Sequence, residues 1–181
     1  GVLMFSRLPE FLDPWRAADQ AARYQGEVAL NSLSRLAELL SDTGGSASYR
    51  LEFLRDGHGR AVLRGSVRAT LWVVCQRCLE PMEVPVAGNW SQVAVNGLDK
   101  ASRLPEQYDP LLVEGRLVRP WELIEEELLL LLPQIPVHAA GRCSAPPEGG
   151  SGNNELRDSG EGSTRNGPFA ELARLKKSSP R

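Results

Sequence analysis

The chain lacks long apolar runs, is poor in aromatic residues and cysteines, and shows no dominance of one charge. Its longest unbroken apolar stretches, such as residues 128–132, fall far below the roughly 18 residues needed to span a bilayer. The opening Gly1-Val2-Leu3-Met4-Phe5 has neither a basic lead nor an apolar segment of signal-peptide length. Membrane and secreted classes are therefore not expected. Met4 can serve as the start, with residues 1–3 an upstream extension. Aromatic content is 6%, too little for a stacking platform on single-stranded nucleic acid. Cys75, Cys78 and Cys143 are an odd set. They make no disulfide framework and fit a reducing cytoplasm, where thiols stay free or hold metal. Twenty-one Lys+Arg stand against 23 Asp+Glu, a formal charge of -2. A protein that coats polyanions with its whole surface is excluded, because neutralising many phosphates takes a net basic face. Any nucleic-acid contact must come from a local patch. Gly-rich phosphate loops, G-x-S-x-G elbows and H-E-x-x-H motifs are also missing. The expectation is a protein that is not an enzyme and has no small-molecule substrate.

What is present suggests one domain with a tail. The chain has 181 residues, 41% of them hydrophobic, enough for a single core. Composition changes near residue 143. Residues 144–165 hold almost no large apolar side chains and cannot offset their ordering entropy, so they are expected to be a flexible, disordered linker. A folded domain is expected over 5–143 and a basic amphipathic tail over 166–181.

Within the folded part, Asp13-Pro14 is a helix-start signal. The helix formers from Trp15 to Tyr24 should follow it, with Gly26 as the stop. Leu33, Leu36, Ala37 and Leu40 give a second, short helix over 31–40. Strands come next. Ala47, Tyr49, Leu51 and Phe53 alternate with polar residues, and Asp56-Gly-His-Gly59 is a turn. Val67, Ala69, Leu71, Val73 and Cys75 alternate again. Met82, Val84 and Val86 form a further run, and Trp90, Val93 and Val95 another. No crossover helix fits between these runs, so they predict an antiparallel meander. Residues 97–118 read as loop. A long helix is predicted over 120–132, with Pro120 in its first turn. Trp121, Ile124, Leu128 and Leu131 line one face, and Glu122, Glu125 and Glu126 lie on a solvated one. The expected fold is α+β: an antiparallel β meander or partly open barrel, with N-terminal helices and one long helix packed on it.

The most specific local motif is Cys75-Gln-Arg-Cys78. Two thiolates spaced C-x2-C at a hairpin tip can bite one metal ion, because a tight turn brings both sulfurs to one side. His138 and Cys143 would complete a Cys3His set suited to zinc. Two other readings stay open. Cys75 is in phase with Leu71 and Val73, so the thiols can be plain core. A redox pair is the third, and it lacks the helix that a reactive C-x-x-C normally opens. The run Glu125-Glu126-Glu127 could suggest paired catalytic carboxylates, but consecutive helical residues diverge by about 100°, so a solvated face is expected. His58 reads as turn chemistry. In the tail, Phe169, Leu172 and Leu175 form an apolar stripe beside Arg174, Lys176 and Lys177. Residues 165–181 carry about +4 by direct count. The tail can be a helix that docks on ribosomal RNA or a protein surface, or a solubilising end.

Three stretches together carry a resemblance. They are Cys75-Gln-Arg-Cys78 with its flanking strands; Glu125-Glu-Glu-Leu through Leu132-Pro-Gln-Ile-Pro-Val-His138 to Cys143; and Asn166-Gly-Pro-Phe-Ala-Glu-Leu-Ala-Arg-Leu-Lys-Lys177. In this order and spacing the chain resembles the bacterial YceD family, the large ribosomal RNA subunit accumulation proteins. Leu12-Asp-Pro, Tyr24-Gln-Gly and Leu104-Pro-Glu-Gln-Tyr108 fit it too. The resemblance implies a cytoplasmic, non-enzymatic ribosome-biogenesis factor. It would support synthesis, processing or stability of 23S ribosomal RNA by binding a large-subunit precursor, ribosomal RNA or a ribosomal protein. Relatives are typically encoded beside a large-subunit ribosomal protein. The resemblance assigns no catalytic residues. The alternative is a zinc-ribbon-like adaptor that binds a protein or nucleic-acid partner outside ribosome assembly.

Overall fold

The computed structural model describes the backbone of Met4 and Phe5, residues 7–139 and residues 141–144. The expectations for the linker beyond Ser144, and for the tail with Phe169, Leu172, Arg174, Leu175, Lys176 and Lys177, lie outside the described residues. The elements run β1 (Met4–Phe5), α1 (Pro14–Asp19), β2 (Arg23–Ala29), a 3-10 turn (Leu30–Ser32), α2 (Ser34–Ala37), β3 (Ser46–Arg55), β4 (Ala61–Val74), β5 (Pro81–Val95), α3 (Leu98–Ala101), β6 (Asp109–Leu112) and α4 (Pro120–Leu131). The six strands form one open sheet in chain order. β2 to β5 are the antiparallel meander, while β1 and β6 join its two sides in parallel.

The meander follows from period-two patterning. Ala47, Tyr49, Leu51 and Phe53 of β3 are buried, as are Leu63, Val67 and Leu71 of β4. All point to one face of the sheet. The turn between these strands is tied by Asp56, whose carboxylate accepts the backbone N–H groups of His58 and Arg60. Gly59 adopts φ +77, a left-handed conformation that glycine takes without a Cβ clash. His58 is exposed in this turn.

The helices pack on the face that carries the core. Asp13 caps α1 by accepting from Trp15 N and Arg16 N, with Pro14 following. Ala17 and Ala18 of α1, Leu36 of α2 and Ile124 and Leu128 of α4 share one core cluster with Leu51, Phe53, Leu63, Val67 and Leu71 of the sheet. The opposite face has a small second cluster at one end, where Leu54, Val62, Val93 and Val95 meet Ala101, Leu104 and Tyr108.

Five local expectations are corrected. The first helix stops at Asp19, well short of Tyr24. Ala21 turns the chain at φ +48, and Tyr24 and Val28 then point inward along β2. Gly26 is inside that strand, beside the Tyr49 ring, and does not stop a helix. Pairing with β3 outweighs helix propensity, which is worth only tenths of a kcal/mol per residue. The second helix is broken into a 3-10 turn and the four residues of α2. The two runs at 82–86 and 90–95 are one strand of 15 residues. Pro85 is tolerated there because β6 pairs only with Gln92, Ala94 and their neighbours, leaving residue 85 on a free edge. The segment read as loop contains α3 and β6. Lastly, Glu125 is buried, not solvated. Among the described residues no helix is long and apolar enough to cross a membrane.

Candidate metal centre

β4 carries its inward phase one residue past its end, so Cys75 is fully buried at the hairpin tip. The turn that follows is closed by two backbone bonds. Cys75 N donates to Glu80 O and Leu79 N to Cys75 O, both at 2.9 Å. Leu79 takes φ +62 to complete it, a strain that a non-glycine side chain bears only when its surroundings impose it. Cys78 is thereby folded back toward Cys75. α4 ends at Leu131 and is followed by Pro133 and Pro136. The outgoing chain docks on the knuckle through Gln76 N to Pro136 O at 2.8 Å. That contact delivers His138 and Cys143 to the two thiols.

The ligand atoms of Cys75, Cys78, His138 and Cys143 all lie within 4.8 Å of one another. Cys75 Sγ is 4.0 Å from Cys143 Sγ, and Cys78 Sγ is 3.3 Å from His138 Nδ1. In a zinc tetrahedron with metal–sulfur bonds of about 2.3 Å, two sulfurs stand about 3.8 Å apart. The four atoms therefore already sit near the corners of such a figure. The group could hold a metal ion.

The lowered thiol pKa values fit the same reading, while the raised His138 pKa means that an ion must displace a proton from the imidazole. Burial raises the pKa of Cys75, but the backbone N–H groups of Cys78, His138 and Arg77 outweigh it and bring the thiol to about 5. The Glu80 N–H lowers Cys78. Burial works against a charged His138, yet the Cys75 and Cys78 sulfurs prevail and raise its pKa. Thiolates are the metal-binding form of cysteine. Three of them with a neutral imidazole around a divalent ion leave one negative charge. Arg77 opposes it: its Nε donates to Cys143 Sγ at 3.2 Å and its Nη2 to His138 O at 3.0 Å. Arg77 is not among the residues that ligand spacing singles out, although its position between two cysteines of a knuckle is a signal for it. Such outer contacts orient ligands and tune their charge.

The acidic run on α4 has no catalytic geometry. Glu125 accepts from Arg35 N at 2.8 Å, Leu36 N at 3.2 Å and Arg35 Nε at 3.0 Å. It thus ties α4 to the start of α2. Glu126 is exposed and shares Arg35. Burial raises the pKa of Glu127, and Asp109 and Glu126 add to the rise.

Comparison with known proteins adds an independent finding. The family model described as "Large ribosomal RNA subunit accumulation protein YceD" matches residues 63–176. That span takes in all four cluster residues. The chain is 32% identical over 174 residues to the protein named "Large ribosomal RNA subunit accumulation protein YceD" of Haemophilus influenzae, covering 94% of this chain and 97% of that one. No solved structure matches.

Proposed function

The chain belongs to the YceD family of large ribosomal RNA subunit accumulation proteins, and from that premise we propose that it is a cytoplasmic, non-enzymatic ribosome-biogenesis factor. It supports the synthesis, processing or stability of 23S ribosomal RNA by binding a large-subunit precursor or one of its proteins. The observation that carries this reading is the full-length similarity to a protein named for that role. The role itself is that relative's, extended here to this chain.

The division of labour follows from the sequence. A folded body over residues 5–143 supplies one contact. The basic segment at 166–181, with Phe169, Leu172 and Leu175 between Arg174, Lys176 and Lys177, supplies a second across the linker of 144–165. Joining two weak contacts by a linker raises avidity through effective concentration. Cys75, Cys78, His138 and Cys143 hold a zinc ion in a structural role, clipping the chain after α4 to the β4–β5 hairpin. An adaptor of the zinc-ribbon kind acting outside ribosome assembly shares this cluster, but the family similarity favours the ribosomal role.

Depletion of the protein, followed by gradient analysis of ribosomal particles and mapping of 23S precursor ends, is the test. A deficit of large subunits with accumulated or unstable precursor is expected. A normal large-subunit peak would remove the reading. Precursor recovery by the full chain should also exceed recovery by a chain ending at Cys143, and equal recovery counts against the tail contact.

A further inference from the structure

Among the described residues, the sheet face opposite α1, α2 and α4 is covered only at one end, where α3 and residues 104–108 lie over Val62, Val93 and Val95. No other described residue packs over the remainder. Strand register sets its pattern. Arg50 of β3 is paired with Ser66 of β4, and Asn89 of β5 flanks Ser66 on the other side. Arg64 and Arg68 lie two residues before and after Ser66, so all three arginines project from the same face. Two adjoining shallow concavities of about 600 and 530 Å³ meet at Arg50, Ser66 and Asn89, with Arg68 lining the first and Arg64 the second.

These arginines have no carboxylate partner among the described residues. Arg50 Nη2 reaches only Gln25 Oε1, at 3.5 Å. The two glutamates at the concavities are engaged elsewhere: Glu52 pairs with Arg23 at 3.5 Å, and Glu27 accepts from the Ser46 hydroxyl at 2.8 Å. In a chain of net charge -2, three unpaired guanidiniums around one serine are no by-product of composition. Glu52 sits opposite Arg64 in the register, and a second group of acids, Glu122, Glu125 and Glu126, lines a cleft beside Arg35 on the other side.

We propose that Arg50, Arg64 and Arg68 form a docking surface for the sugar–phosphate backbone of folded RNA. The inference rests on the ribosomal RNA reading above and assigns that reading a surface. Arg64 and Arg68 are four residues apart on one strand, about 13 Å, a span close to two phosphate steps along a nucleic-acid strand. Between the guanidiniums, Ser66, Asn89 and Gln25 offer hydroxyl and amide groups that bond phosphate oxygens and 2′-hydroxyls. No ring on this face lines either concavity; Trp72 shares the face but lies four residues beyond Arg68. The Tyr49 ring packs edge-on to Trp121 of α4 at 5.5 Å between centroids, and the Trp90 ring lies over Gly65 on the core side. Recognition is then of backbone shape and charge, as for double-helical RNA, and not of single-stranded sequence.

The test uses the full chain, wild type against R50Q/R64Q/R68Q, with R7Q/R16Q/R103Q as a control of equal charge change. The probes are a poly(A)·poly(U) duplex and a transcribed hairpin fragment of 23S RNA, titrated over a range of KCl. The site variant should bind about tenfold more weakly or worse at low salt. Its plot of log affinity against log salt should be shallower by about 2 to 3, since each released phosphate contact contributes about 0.7 to 0.9. The control should match wild type, and R50K/R64K/R68K, which keeps the charges, should retain most of the affinity. Thermal melting checks that all variants fold. Unchanged binding by R50Q/R64Q/R68Q, an equal loss in the control, or loss of a ribosomal protein with RNA binding intact would each overturn the surface. So would a wild-type chain that binds neither RNA. If depletion still disturbs 23S maturation in that case, the ribosomal role stands and only this surface falls.

Discussion

At the scale of single residues, two carboxylates, Asp56 and Glu125, each tie two backbone N–H groups to a guanidinium. Asp56 holds the β3–β4 turn, and its hydrogen bonds to Arg60 and His58 outweigh the opposing effect of burial, lowering its pKa from 3.8 to about 2. A carboxyl whose folded pKa lies below its unfolded value stabilises above the unfolded pKa, and that contribution disappears as pH falls through the folded one. The melting-temperature gap between wild type and Asp56→Asn should therefore be full-sized above about pH 5 and close as pH falls from there to about 1. A gap constant across that range would show that Asp56 acts without its charge. Glu125 is the second case. It takes two backbone N–H groups at the start of α2 as well as Arg35 Nε. Glu125→Ala leaves those donors unpaired, and urea unfolding should register a loss of about 2–4 kcal/mol. Glu125→Gln keeps one acceptor and should lose less. Its burial could not be read from α4 alone. The apolar stripe through Ile124 and Leu128 is legible as periodicity, but the partner of Glu125 stands 90 residues away in the sequence.

At the scale of elements, the alternating strands and α4 were legible because burial imposes period two on β3 and β4 and a 3.6-residue period on α4. The failures share one cause. Residues 20–29 carry helix formers and a glycine, yet β3 offers an edge to pair with, and Arg23 through Ala29 take it. The proline and glycine in β5 look like breaks because their reasons lie on other elements. A Cβ at Gly88 would meet Leu131 of α4 at 2.9 Å, and one at Gly65 would meet the Trp90 ring at 2.2 Å. Gly65→Ala should thus destabilise the meander by about 1–3 kcal/mol through overpacking. Combining it with Trp90→Val should recover part of the loss, a coupling that a double-mutant cycle on melting or urea data measures. Additive losses would mean the ring and the glycine do not meet.

At the scale of the whole molecule, the four candidate ligands join two distant parts of the chain, so metal and fold should be linked. Protein purified without chelator should contain about one zinc per chain, and a strong chelator should lower its melting temperature by about 5 °C or more. Cys78→Ser should give the same low value with or without chelator. Absence of zinc together with a melting temperature insensitive to chelation would leave only packed thiols. The sequence by itself determined the family, the strand alternation, the capped start of α1, the long amphipathic helix and the spacing of Cys75 with Cys78, since each is a short-range pattern or a run of residue types. Only the tertiary structure decided that His138 and Cys143 reach those thiols, that Arg77 stands beside them, that Glu125 turns inward and that Arg50, Arg64 and Arg68 share an uncovered face. Each of those facts depends on which strand pairs with which and on how the chain returns after α4. Hydrogen-bond register and packing across tens of residues set such relations, and local sequence carries no record of them.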